Sequence, residues 1–95
     1  MPDKEPVYKM PDLLNLMVDS GAADLHVRTG IPPAYRDGGT LKRVEGPDCE
    51  PDDVEYLVKA IASDDQIQML RTQGGADFGF AFGTKARFRV SAFKE

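Results

Sequence analysis

The sequence has few of the residues that hold small domains together covalently or through metals. Its 95 residues include one cysteine, one histidine and no tryptophan. A lone Cys49 cannot form an internal disulfide, and Cys49 with His26 falls short of the four ligands of a structural zinc site. We therefore expect a domain held by its hydrophobic core, with no metal site.

Long apolar runs are also missing. No stretch approaches the roughly 18 apolar residues that a membrane-spanning helix needs, and residues 1–9 lack the apolar centre and cleavage site of a signal peptide. With 41% hydrophobic and 29% charged residues, the composition is that of a globular domain, and the length suits one domain. These features predict a cytoplasmic protein.

The usual signatures of catalysis are absent from the pattern. His26 has no cysteine or serine partner that the sequence places beside it. Gly79, Gly83 and Lys85 do not have the spacing of a phosphate-binding P-loop, and these glycines flank strands rather than a strand-to-helix turn. We expect neither a catalytic residue nor a bound cofactor in this segment.

Charge is unevenly distributed along the chain. Between Glu45 and Asp65 there are eight acidic residues against the single base Lys59, whereas the strand-like regions on either side are basic. An acidic helical layer and a basic sheet suit anion binding or docking onto another subunit. The net charge of -4 argues against nucleic acid as a partner.

The stretch Gly21–Val44 predicts three strands. In Asp24–Arg28 the alternation turns Leu25 and Val27 towards a core and the polar residues outward. Glycines then reverse the chain before a last run, and either Asp37-Gly38 or Gly38-Gly39 can form that turn, so the hairpin register stays open.

Three helices are predicted around this sheet. Pro11 and Pro51 suit the first position of two of them, and apolar residues recur behind each at helical spacing. Ser63 and Gln66 match the capping box of a third helix, which Gly74-Gly75 ends. Residues 1–10 show no periodicity and are predicted to be a flexible arm, with residues 11–95 forming the domain.

The last segment predicts a hairpin rich in aromatic residues. Phe78, Phe80 and Phe82 share one face of the first strand, and Arg87 and Arg89 share the outward face of the second. Two guanidinium groups on one strand face can converge on a carboxylate or a phosphate. Because the sequence stops at the end of a strand, we expect it to be a fragment of a longer protein.

Together these blocks resemble a known family. The run GAADLHVRTGIPPAYRDGGTLKRV resembles the Gly-Ala-Ser-Asp-Leu-His-Leu, Gly-x-Pro-Pro and Arg-x-Asp-Gly blocks of the N-terminal domain of PilT-like type IV pilus retraction ATPases. DFGF with ARFRV is similar to the closing hairpin of that domain. The blocks keep their order and spacing from Pro11 to Phe93.

The resemblance implies an α+β fold of the PAS-like type, with a mostly antiparallel sheet and about three helices. In the longer protein this domain would precede a RecA-like ATPase domain that is absent from this chain, and would pack on the motor domains of its own and neighbouring subunits in a homo-hexamer. Such a protein would bind ATP and Mg²⁺ and drive pilus retraction and twitching motility. It would work in the cytoplasm against the pilus machinery at the inner membrane.

The resemblance also suggests roles for individual residues. The arginine of the family's Arg-Val-Asn or Arg-Val-Ser block approaches ATP phosphates held by the motor domain, which makes Arg89 the first candidate and Arg87 the second. The polar residues of the first strands are candidates for an intersubunit surface: Asp24, His26, Arg28 and Arg36.

Two alternatives remain open. Ser91 stands where retraction ATPases usually have asparagine, as in pilus-assembly and type II secretion relatives. The direction of work, retraction, assembly or secretion, is therefore undecided. A stand-alone PAS-like sensor or protein-interaction module is the alternative from another class.

Overall fold

The structure, a computed structural model, describes residues 7–84 and 86–94. It contains three helices and one five-stranded sheet. The helices are α1 (Met10–Ser20), α2 (Pro51–Lys59) and α3 (Asp64–Gln73). The strands are β1 (Asp24–Arg28), β2 (Ala34–Asp37), β3 (Thr40–Arg43), β4 (Gly75–Phe82) and β5 (Ala86–Phe93). None of the helices in the described part of the chain is long and apolar enough to cross a membrane.

The strands lie in the order β3-β2-β1-β5-β4. All neighbours are antiparallel except the central pair, in which β1 and β5 run parallel, with Leu25 opposite Val90. The predicted α+β class, with three helices and a mostly antiparallel sheet, is confirmed.

The first two helices begin where prolines permit. α1 starts at Met10, one residue before the predicted Pro11, and ends when Gly21 adopts a left-handed conformation with φ 75°. α2 starts at Pro51 as predicted. A capping box between Glu50 and Asp53, which the sequence analysis did not identify, closes its first turn.

The start and end of α3 follow the prediction. The Ser63 hydroxyl accepts a hydrogen bond from the Gln66 N–H (3.2 Å), and the Gln66 side chain accepts one from the Ser63 N–H (2.9 Å). Gly74 ends the helix in the left-handed conformation, with φ 81°, and Gly75 already belongs to β4.

The Gly-rich turn settles the hairpin register. Asp37 pairs with Thr40, so Gly38-Gly39 is the two-residue loop, and both glycines have positive φ (59° and 87°). Two positive φ angles are typical of the type I′ turn, whose twist matches that of the flanking strands. Of the two turns the sequence allowed, the second is correct.

The core lies between the helices and one face of the sheet. Leu25 and Val27 of β1 are buried there, and alternate residues of β5 share this face, as the alternation predicts. The helices contribute their apolar stripes, and the largest fully buried side chains are Met10, Met17, Leu25, Leu57 and Leu70, followed by Val27, Val54, Val58, Val90 and Pro33.

The first described residues touch this core. Tyr8 is buried, and its hydroxyl donates a hydrogen bond to the carbonyl oxygen of Pro47. Residues 1–6 of the predicted arm and Lys85 of the predicted β4–β5 turn lie outside the described residues. The division at residue 10 between arm and domain stays a prediction.

Candidate functional site

The sheet face opposite the core is named the arginine face here, because strand alternation turns arginines of four strands to it. Cross-strand pairing puts Arg36 beside Asp24, Asp24 beside Arg89, and Arg89 beside Gly79. By the same registers the arginine face includes Arg28, Arg36, Arg43, Arg87 and Arg89, with Asp24, His26, Leu41, Asp77, Gly79, Ala81, Ser91 and Phe93. These thirteen residues are exposed or half-buried, whereas Ala34, which the registers place between His26 and Arg43, is buried.

The arginine face is basic, as the uneven charge pattern predicts. Five arginines stand against two aspartates among its described residues. The acidic residues of the middle segment lie instead on α2, on α3 and in the loops before them. The two sides of the domain therefore differ in charge, which favours attraction of anionic groups to the sheet.

A cleft of about 240 Å³ lies near the middle of the arginine face, where β1 separates β2 from β5. It is lined by Asp24, Leu25, His26, Arg36, Asp77, Arg89 and Ser91. Asp24 occupies the row between Arg36 and Arg89, and its Oδ2 is 3.9 Å from Nε of Arg36. At that distance, with both side chains close to half exposed, this ion pair contributes little and its geometry is loose.

Arg89 is held by its backbone rather than by its side chain. Its N–H donates to the carbonyl oxygen of Ala23 (2.8 Å), which fixes β5 against the start of β1. No ion pair of Arg89 occurs within residues 7–84 and 86–94. Arg36, by contrast, donates from Nη1 to the carbonyl oxygen of Gly39 (3.4 Å). The backbone of Arg89 is therefore fixed, while its exposed guanidinium makes no ion pair with any described residue.

His26 adds a polar atom without a partner. Its Nε2 is buried and makes no hydrogen bond with any described residue. A buried ring nitrogen in that condition costs free energy until a donor or acceptor reaches it. Because His26 pairs with Ser91 across β1 and β5, the two form one row of the cleft lining.

The structure brings together four of the six predicted site residues. Asp24, His26, Arg36 and Arg89 line one cleft, although the sequence analysis assigned the first three to an interface and the last to a phosphate. Arg28 lies outside it, with its guanidinium carbon 4.8 Å from the centre of the Phe93 ring, a cation–π contact.

Arg87 is on the arginine face but does not line the cleft. It pairs with Ala81 at the β4 side of the sheet, two residues before Arg89.

Two further cleft residues were missed by the sequence analysis. Asp77 and Ser91 face each other across β4 and β5, and both line the cleft. Strand alternation does turn each of them outward, but it does not say that β1 lies beside β5. To predict that Asp77 and Ser91 line the cleft, one must know that β1 and β5 pair in parallel, and local sequence patterns do not show which distant strands pair.

The cleft has the chemistry of an anion site open to a partner. Two guanidinium groups that approach from either side of Asp24 can bind carboxylate or phosphate oxygens, and bidentate contacts make arginine well suited to this. Asp24 and Asp77 at the same cleft oppose a free anion, so a phosphate carried by a macromolecule, with other contacts to hold it, suits the site better.

Comparison with known proteins connects this α+β domain to a class of ATPases. No family model matches the chain. It is 36% identical over 84 residues to the type IV pilus retraction ATPase PilT of Pseudomonas aeruginosa, which covers 88% of the chain and 24% of PilT. The type IV pilus ATPase PilU of the same organism is 30% identical over 81 residues, covering 85% of the chain and 21% of PilU.

A solved structure agrees with these sequence matches. A crystal structure of the pilus retraction motor PilT with bound ADP superimposes with a TM-score of 0.70 at 30% identity, over 93% of this chain and 26% of that one. The chain spans about a quarter of the length of these relatives. It is a homologue of PilT and PilU over this single domain, and the resemblance to the N-terminal domain of PilT-like ATPases is confirmed.

Proposed function

We propose that this chain is the regulatory N-terminal domain of a PilT-like ATPase that powers pilus retraction, and that Arg89 links its orientation to the nucleotide in a motor domain. The observation that carries the proposal is the cleft at the centre of the arginine face, where Arg89 is held by the backbone and makes no ion pair with any described residue. An arginine in this position can bind phosphate oxygens that another domain holds.

Coupling follows from a contact that exists in only one orientation of the domain. If Arg89 reaches the nucleotide in one orientation of the domain and not in another, bound nucleotide stabilises the first orientation. The size of the effect is the difference between the nucleotide's binding free energies in the two orientations. Differences of about 1 to 3 kcal/mol are typical of such coupling between sites. Rotation of the domain relative to the motor is the movement that this contact drives, with Arg87 as the second candidate for it.

Four polar residues of β1 and β2 on the arginine face serve as the docking surface in this proposal. Asp24, His26, Arg28 and Arg36 supply charges and hydrogen-bonding groups across two neighbouring strands. Their partners are motor domains of the same and neighbouring subunits of a homo-hexamer, working in the cytoplasm at the inner membrane. ATP and Mg²⁺ bind in the motor domain, so this domain holds neither of them by itself.

Retraction is the direction that the comparisons support best. PilT, the relative with 36% identity, is a retraction ATPase by name, and PilU, at 30%, is a pilus ATPase. Ser91 is the residue that links the chain to pilus-assembly and secretion relatives. The second candidate function is therefore the same domain in a pilus-assembly or type II secretion ATPase.

The first test is the reading frame beyond Glu95. A P-loop of the form G-x-x-x-x-G-K-[ST] within roughly 50 residues is expected in the longer protein. A stop codon directly after Glu95 would contradict the proposal and favour a stand-alone interaction module.

The second test is Arg89→Ala in that longer protein. We expect ATP hydrolysis to fall on the order of 100-fold, the usual effect of removing one charge-stabilising donor, and the melting temperature to stay within about 1 °C because the side chain is exposed. Arg43→Ala is the matched control, since Arg43 is exposed on the same face but lies on the edge strand β3, away from the cleft. Equal hydrolysis by Arg89→Ala and the parent protein would remove Arg89 from the mechanism.

A further inference from the structure

β4 is an edge strand eight residues long, and no described strand lies on its outer side. Lys94 donates its N–H to the carbonyl oxygen of Gly74 (2.8 Å), so the hydrogen-bonded pairs with β5 fall on the even-numbered residues of β4. The backbone groups of the odd-numbered residues therefore point to the open edge: Gly75, Asp77, Gly79 and Ala81.

The two edges of the sheet differ in their protection against pairing. β3, the other edge, has four residues, and Lys42 and Arg43 are two of them. Short length and charge are the usual means by which proteins prevent edge-to-edge association. β4 has twice that length, alternates phenylalanine with small residues, and carries the single charge of Asp77.

We propose that β4 pairs with β4 of a second copy of this chain, antiparallel and across a two-fold axis at Phe78, to give one continuous ten-stranded sheet. In this register Gly75 pairs with Ala81 and Asp77 pairs with Gly79 of the second copy. All four odd-numbered residues of the open edge then gain hydrogen-bonding partners on both chains. This self-pairing goes beyond the proposed coupling to ATP hydrolysis and does not depend on it, because it involves the domain while Arg89 is not bound to nucleotide.

The side chains on the helix side of β4 fit the same register. Phe80 of the second copy stands opposite Ala76, so this large ring meets a small residue, and Phe78 meets Phe78 of the second copy at the two-fold axis. An open groove of about 640 Å³ lies at this end of β4, lined by Met69, Gln73, Gly74, Gly75, Ala76, Asp77 and Phe93. Met69 is 43% exposed there, and the half-buried rings of the second copy are of the right chemistry to cover it.

The charges on the arginine face favour a second copy of this chain, rather than an unrelated strand, as the partner of β4. Asp77 of the second copy is opposite Gly79, and Gly79 is opposite Arg89 in β5. Because Gly79 has no side chain between them, the guanidinium of Arg89 can cross this row to the carboxylate. The symmetry repeats the pair, while Asp77 of one copy is never opposite Asp77 of the other.

Sedimentation velocity and amide exchange of the 95-residue chain test the proposal. A short edge-to-edge contact predicts a weak dimer, with Kd between about 10 μM and 1 mM. Over that range the amides of Asp77, Gly79 and Ala81 should exchange more slowly as concentration rises, and the open-edge amides of Leu41 and Arg43 should not.

Gly79→Pro removes one open-edge N–H without touching the hydrogen bonds to β5. A Cβ at Gly79 meets only the Phe88 carbonyl oxygen at 3.9 Å, an ordinary contact, and proline is tolerated in edge strands when its nitrogen faces the open side. We expect it to abolish dimer formation, whereas the matched edge variant Leu41→Pro should leave dimer formation unchanged.

Asp77→Lys provides a second test that does not depend on proline. Loss of two ion pairs to Arg89 predicts a Kd about tenfold weaker. A chain that stays monomeric at 1 mM, or a dimer that survives Gly79→Pro, would overturn the proposal. The proposal would also be overturned if the β4 amides were unaffected by the concentration of the chain but exchanged more slowly when an unrelated extended peptide was added. That result would favour pairing of β4 with a strand from a different protein.

Discussion

Burial makes the thiol of Cys49 much less reactive than an exposed thiol. Cys49 is 2% exposed, within the core cluster, and its backbone bridges to the loop at Thr29. Burial raises the pKa of the Cys49 thiol to about 11, and the nearby carboxylates of Asp53 and Asp48 act in the same direction. The neutral thiol is therefore the form that the folded chain stabilises.

Alkylation by iodoacetamide provides the test of this pKa. The thiolate is the reactive form, and a shift from 9.0 to about 11 lowers its population about 100-fold at any pH below 9. We expect alkylation of the folded chain at pH 8 to be slower than that of the urea-unfolded chain by at least this factor. Equal rates in the two states would show that Cys49 is neither buried nor shifted.

Individual cleft residues were predictable, but their convergence was not. Alternation in β1 and β5 places Asp24, His26 and Arg89 outward, as observed. Their meeting in one cleft depends on β1 lying beside β5, a contact between residues about 65 positions apart in the chain, as for Leu25 and Val90. Periodicity reports which way a side chain points and carries no information on which strand lies next to it.

Among the elements, the Gly38-Gly39 turn is the clearest case of backbone geometry that sets a register. Gly38 has φ 59°, within the region that asparagine tolerates better than other residues with a side chain, and a Cβ there meets nothing within 4 Å. Asn-Gly is the preferred pair for a type I′ turn. Asparagine also restricts the unfolded chain more than glycine does.

Gly38→Asn should therefore stabilise the domain by about 0.5 kcal/mol in urea unfolding. The control is Gly38→Val at the same position, which should destabilise it by on the order of 1 kcal/mol because a β-branched residue is strained at positive φ. If both variants shift the urea midpoint in the same direction, the turn does not have this geometry in solution.

Elements with strong local signals were predicted best. The ends of α3 were predictable from three residues, Ser63, Gln66 and Gly74, because capping depends only on residues within about one turn of a helix end. The sequence leaves the register at Gly38 open because Asp37-Gly38 and Gly38-Gly39 are equally good two-residue turns. Pairing with Thr40 decided it, through the sheet rather than the turn.

At the scale of the whole molecule, one carboxylate joins three parts of the chain. Glu55 of α2 accepts a hydrogen bond from Nε of Arg71 in α3 (2.6 Å) and lies 3.6 Å from Nζ of Lys94 beyond β5. The hydrogen bond from Arg71, with the charge of Lys94, lowers the pKa of Glu55 below its usual value of 4.5. Folding therefore favours the ionised carboxylate.

This linkage predicts a specific loss of stability in acid. The contribution of Glu55 is complete above pH 4.5 and disappears as the pH falls through the lower pKa of the folded state. In Glu55→Gln the drop in unfolding free energy between pH 7 and pH 3 should be smaller than in the parent by a few tenths of a kcal/mol, the usual size for an exposed pair. Chemical denaturation at both pH values provides the measurement, and an unchanged or larger drop would contradict the prediction.

The parallel pairing of β1 with β5 also governs when the domain can form during its synthesis. Until β5 has left the ribosome, the β1-β2-β3 meander has no strand that connects it to β4, and Leu25 and Val27 lack the neighbours Val90 and Ala92. Long-range pairing of this kind makes folding of the domain wait for β5. The sheet therefore forms as a unit once Phe93 has left the ribosome rather than strand by strand during synthesis.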